Sequence, residues 1–278
     1  MSFEQLKFDN QPSIEKENPP VEKKETRRGG LEGLKSEIND MSLKLQREGV
    51  PIDNQARLDI NKYKDVYSER SIESDNNWVK DLKGVWERAA KSSSRWSWVP
   101  NKEGGPKDMP IGDIFEMLAT ATFSEFLGEN FITLRTTEYD DIRNKVDNLI
   151  VERKTGNVVC AFDEVGDSNG KRFEEKRSKV LERNWQRGGA DLKYGLSYEQ
   201  QDGQAKLKKG AIYQIPLFYL SLSEEEIKKA LYDPSQRSKI FQKFISSAKE
   251  QIEEIKSGPV HSKLKERLDF FTQVIEKF

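Results

Sequence analysis

Residues 147–165 read DNLIVERKTGNVVCAFDEV, with acids at both ends and a mostly apolar sequence between them. Gly156 stands where a hairpin needs positive φ, so the segment predicts two antiparallel strands, 147–153 and 157–165. A three-residue loop pairs Arg153 with Asn157 and sets Asp147 opposite Asp163. A two-residue loop on Thr155 and Gly156 sets Asp147 opposite Glu164. Either register brings two carboxylates onto one face with Cβ atoms about 5 Å apart, where like charges destabilise a sheet unless something offsets them. Hard oxygen ligands at that spacing suit Mg²⁺ or Mn²⁺. A metal held there would supply hydroxide and offset the charge that builds up on a phosphoryl group, which is phosphodiester hydrolysis. The same acids also read as solvated strand ends, and that alternative stays open at this level.

The elements that must position this hairpin follow from periodicity and punctuation. Leu31, Leu34, Ile38, Met41 and Leu45 recur at helical steps and predict a helix to about residue 48, closed by Gly49 and Pro51. Further helices are expected over 54–70 and 77–90. Four of the five tryptophans fall between residues 78 and 98, which predicts an aromatic core joining the N-terminal helices to the rest. A helix over 111–128 ends at Gly128, and strands follow at 131–137, 147–153 and 157–165. A charged helix over 173–186 precedes strands at 192–199 and 205–212, which flank the turn signal QQDGQ, and IPLFYLS at 215–221 reads as a strand buried on both faces. Ser223 with SEEE opens the first of three C-terminal helices, at 224–232, 235–256 and 259–277. The expected fold class is α+β (or α/β): a mixed β-sheet with hairpins and an inserted helix, flanked by N-terminal and C-terminal helices. The chain divides into a disordered charged tail at 1–30, a helical region at 31–110, a core at 111–222 and helices at 223–278 that pack on it.

In this order the residues resemble the PD-(D/E)XK nuclease superfamily over residues 111–222, about two fifths of the chain. The resemblance implies a helix bearing a glutamate, here Glu125, then a strand, then a hairpin whose first strand gives Asp147 and whose second gives Asp163 or Glu164. It implies Asp147, Asp163 and Glu125 as metal ligands with Glu164 in support, and a helix and strand at 173–186 and 192–199 continuing the core. The family's lysine is displaced: Val165 and Gly166 stand two residues beyond Asp163 and Glu164. Lys193 is the expected substitute for positioning water or contacting phosphate, with Lys171 the other candidate.

Composition narrows the field further. The 278 residues carry 47 Lys+Arg against 48 Asp+Glu, which excludes a globally basic nucleic-acid coat and makes any electrostatic bias local. Residues 111–167 hold 12 acids and five bases, whereas 171–210 hold 11 bases and six acids, so an acidic pocket beside a phosphate-holding basic segment is expected. One cysteine and one histidine exclude disulfides, multi-cysteine zinc sites and the usual triads. Cys160 alternates into a strand as a buried thiol, and His261 is expected at the surface. NVVCAFDEV imitates the acidic strand of an ATPase, but no phosphate loop precedes it. No apolar run is long enough to span a bilayer, and the expected setting is cytoplasmic. The leading expectation is a Mg²⁺- or Mn²⁺-dependent nuclease-like hydrolase acting on nucleic acid. The competing one is a non-catalytic interaction or scaffolding protein with a degenerate nuclease-like fold, binding a protein partner through its tail or helices.

Overall fold

The computed structural model describes residues 29–92, 109–201 and 204–278; residues 1–28 of the expected tail, with Trp96 and Trp98, lie outside the described residues. The architecture is α+β. A four-stranded mixed sheet runs in the order β1 (Phe131–Arg135), β2 (Asn148–Glu152), β3 (Val158–Val165), β6 (Leu217–Ser221). The first three strands form an antiparallel meander, and β6 lies parallel to β3. A separate antiparallel ribbon, β4 (Ala190–Gln201) with β5 (Gln204–Ile215), is inserted before β6.

One face of the sheet is covered by α3 (Ile111–Leu127), α7 (Arg237–Lys256) and α8 (Ser262–Ile275), with α1 (Leu31–Arg47) and α6 (Glu224–Tyr232) packed around α3. The aromatic centre of that layer is Phe123, stacked on Phe162 at 4.8 Å and on Phe244 at 5.6 Å. The other face carries α5 (Lys171–Arg187) and the root of the ribbon, packed through Val180, Ala190, Leu192 and Ile215. The C-terminal helices thus pack on the sheet, as their apolar stripes require. No helix among the described residues is long and apolar enough to cross a membrane.

Two elements depart from the sequence expectation. Residues 54–70 do not form a helix. Ala56 takes a left-handed conformation, Asp53 accepts from the backbone of Gln55 and Arg57, and the strap is sewn to β1 by Leu58 N to Arg135 O and Arg135 N to Ala56 O, each 2.9 Å. Backbone groups that would have closed helical turns bind the sheet edge instead. A 3₁₀ turn at Ile60–Tyr63 follows, and the next helix, α2, runs Glu69–Ser92. The strand continuing the core after α5 is β6 rather than 192–199. β6 is apolar along its length and buried, which suits an interior parallel strand, whereas β4 pairs only with β5. The aromatic cluster expected near the N-terminal helices exists in another form. Tyr63, Tyr67 and Tyr139 pack edge-on around Tyr194, and Trp78 joins through Tyr139.

Candidate metal centre

The β2–β3 hairpin sets the geometry. At its closed end Glu152 N donates to Asn157 O and Gly156 N to Glu152 O, which makes a four-residue loop with Gly156 at φ 72°. The register there is one residue short of the three-residue expectation, and a bulge between Ile150 and Val151 restores it: Leu149 faces Ala161 and Asn148 faces Phe162. Continued one step, that register sets Asp147 opposite Asp163, with Asp147 N donating to Phe162 O at 2.8 Å. Both carboxylates are buried, 8% and 6% exposed. Asp147 Oδ2 also accepts from Glu164 N at 2.6 Å, so all three hairpin acids meet at one mouth.

Two further acids come from outside the hairpin. Glu116 lies in the buried middle of α3, and its Oε2 accepts from Arg57 Nη2 at 2.8 Å and from Arg135 Nε at 3.0 Å. Asp141 comes from α4 (Glu138–Asn144), a short helix capped by Thr137, and accepts from Arg57 Nη1 at 3.2 Å. Its neighbour Asp140 turns the other way and binds Lys193 N and Tyr194 N of β4, a structural task. Ligand oxygens of Glu116, Asp141 and Asp147 lie within 4.8 Å of one another, so this buried triad could hold a metal ion.

Lys176, on the sheet-facing side of α5, donates its ammonium to Asp163. Lys193, the expected substitute, is elsewhere: its ammonium binds Asp75 and Ser71 and sits among the rings of Tyr67, Tyr139 and Tyr194. Lys171 is exposed and approaches only Glu175 among the described residues. Glu125 is also displaced from the site. It lies nine residues beyond Glu116 on α3, about 13 Å along the axis and about half a turn around it, and its carboxylate approaches Arg237 at 3.8 Å.

Acids outnumber bases at the mouth. Glu116, Asp141, Asp147, Asp163 and Glu164 face Arg57, Arg135 and Lys176, leaving a formal excess of two negative charges. Burial, then the charges of Asp163 and Glu116, pushes Asp147 up to about 7. Burial and Asp147 push Glu164 and Asp141 well above the ordinary carboxyl range. Burial also raises Asp163 despite Lys176. For Lys176 burial works against the charge, but Asp163 and Asp147 outweigh it and the net shift is upward. Glu164 Oε1 accepts from Asn148 Nδ2 at 2.6 Å, while its Oε2 is buried without a donor. The three hard oxygen donors of Glu116, Asp141 and Asp147 could hold a metal ion, with the unpaired Glu164 oxygen on the same hairpin mouth.

Two predictions arise here. Arg135 is almost fully buried with its guanidinium on Glu116. Arg135→Met, which strips a buried carboxylate of one partner, is expected to cost about 3 kcal/mol or more in urea unfolding; a loss under about 1 kcal/mol would contradict this pairing. The second concerns pH. All four shifted acids are raised in the folded state, so their contribution to stability is complete below their ordinary values near 4 and is lost as pH rises through their raised values, about 7 for Asp147. The metal-free protein should therefore lose melting temperature between pH 5 and pH 8, and Asp147→Asn should lose less. A divalent ion competes with those protons, so about 1 mM Mn²⁺ should raise the melting temperature by about 5 °C at pH 8 and by little at pH 5. An equal rise at both pH values would be inconsistent with binding at these carboxylates.

Cys160 is buried in β3, where burial raises its thiol, and His261 is the exposed residue preceding α8. Comparison of the chain with family models, with curated proteins and with solved structures finds no match.

Proposed function

We propose that this chain is a cytoplasmic metal-dependent phosphodiesterase acting on nucleic acid, with Asp147, Glu116 and Asp141 as metal ligands. The single observation that carries the reading is the Lys176 ammonium held on Asp163 at the edge of the acidic triad. Acids alone would make a cation site; acids with a half-buried lysine held on one of them suit hydrolysis. A Mg²⁺ or Mn²⁺ ion bound by the triad would supply Lewis acidity and a water of lowered pKa. The chain's own groups do the rest. Lys176, kept protonated by Asp163 and Asp147, orients the attacking water and offsets charge on the phosphoryl oxygens. Asp163 fixes the lysine, and Asn148 fixes Glu164 through a chain that continues to Thr120 on α3. Exposed Lys171, Arg172 and Lys179 on α5 are available to hold the phosphate backbone.

The order α3, β1, β2, β3, α5, β6, with an antiparallel meander followed by a parallel strand, supports the resemblance to PD-(D/E)XK nucleases. In this reading the displaced lysine comes from the helix after the hairpin. The test is incubation of the full chain with single- and double-stranded DNA and RNA in Mn²⁺, Mg²⁺ or EDTA. Cleavage in a divalent ion and none in EDTA is expected. Absence of cleavage in every condition would reject the catalytic reading in favour of the scaffolding one.

A further inference from the structure

At the closed end of the same hairpin lies a second site of opposite charge. A cleft of about 350 Å³ opens between the β2–β3 turn, the ribbon and α8, and its charged and polar lining includes Asn157, Lys208, Tyr213, Lys263 and Arg267, with Glu199 its one acid. That volume is in the range of small-molecule sites. Val158 and Asp163 are five residues apart on β3, so the cleft stands about 17 Å from the acids.

The cations here contrast with the core arginines. Arg57, Arg135 and Arg237, buried in the core, each hold a carboxylate. Arg267 Nη1 is buried without a hydrogen-bond partner, and no acid among the described residues lies within ion-pair distance of Arg267 or Lys263. The two sit one turn apart on α8, where like charges repel. Lys208 has only the exposed Glu199, at 3.1 Å, a pairing that water largely screens. Tyr213 adds a ring 59% exposed on the rim. Arg267 is half-buried, and leaving one of its buried N–H donors unpaired is costly; a fork of N–H donors beside an ammonium is matched by phosphate oxygens.

We propose that this cleft binds a nucleoside monophosphate group, free or at the end of a polynucleotide, with its phosphate on Arg267 and Lys263 and its base against Tyr213. The proposal goes beyond the hydrolytic reading and does not depend on it.

Calorimetry of the full chain in EDTA, which excludes any metal-bridged phosphate, tests it with adenosine 5′-monophosphate, inorganic phosphate and adenosine. The monophosphate should bind with Kd below about 1 mM, inorganic phosphate several-fold weaker, and adenosine at least about tenfold weaker. Arg267→Gln should weaken the monophosphate at least about tenfold. Should that variant fail to fold, Lys263→Glu, at an exposed position, must give a loss of the same order. No binding at about 10 mM, unchanged affinity in a folded variant, or inorganic phosphate binding as tightly as the monophosphate would overturn the proposal.

Discussion

Asp147→Asn is expected to abolish divalent-dependent cleavage, with turnover falling at least about 10³-fold while the protein stays folded. Asp147 is the residue on which the site converges. It belongs to the triad, lies across the hairpin mouth from Asp163, and carries the backbone N–H of Glu164 on its Oδ2. The amide is nearly isosteric but neutral, so it removes a metal ligand and also relieves the crowding that raises the neighbouring acids. Loss of activity should therefore accompany higher metal-free stability at pH 8, a combination that general unfolding cannot produce. Cleavage within about tenfold of wild type would reject this carboxylate as a ligand.

Lys176→Met is the second large effect. The methionine keeps the stem that packs against the sheet and removes the ammonium from Asp163. Turnover should fall about 10²- to 10³-fold, whereas Mn²⁺ affinity should hold or rise, because a positive charge has left the ion's surroundings. The limb of the pH–rate profile that reports the acids should move to higher pH, since Lys176 holds Asp163 and Asp147 down. Lys176→Arg should recover part of the rate. A variant that loses melting temperature but keeps its turnover and pH profile would assign Lys176 a structural role alone.

The hairpin mouth was legible because a strand has period two and Gly156 marks the turn, and those facts alone bring Asp147 toward Asp163 or Glu164. The loop length was not legible. A bulge near Val151 compensates for it, and a bulge depends on twist and packing that a local pattern does not carry. The sequence offers Glu125 for the helix-borne acid, whereas the acid that the same helix brings to the mouth is Glu116. Both acids fit the helix-borne position, but Glu116 is set inside IFEML, where an acid can be buried only if partnered, and that was the available signal.

Lys176 also left a trace. Phe173, Lys176, Val180 and Asn184 follow helical spacing, and their neighbours in the stripe face the sheet, so a lysine on that line needs a buried anion. Lys193 stands on the next expected strand, but β4 lies outside the main sheet and its lysine is taken by Asp75. Asp141 stands in the acidic run TTEYDD, and the helix that separates it from Asp140 is too short for periodicity to show.

The central claim is that the acids at the hairpin mouth bind one divalent ion. Titration of the full chain with Mn²⁺ at pH 8, followed by the loss of the free-ion paramagnetic resonance signal, measures this without any substrate. The account predicts saturation at one tight equivalent per chain, at least about tenfold weaker binding in Asp147→Asn, and unchanged binding in Glu125→Gln. Equal affinity in the wild type and Asp147→Asn, or weakening only in Glu125→Gln, would contradict it.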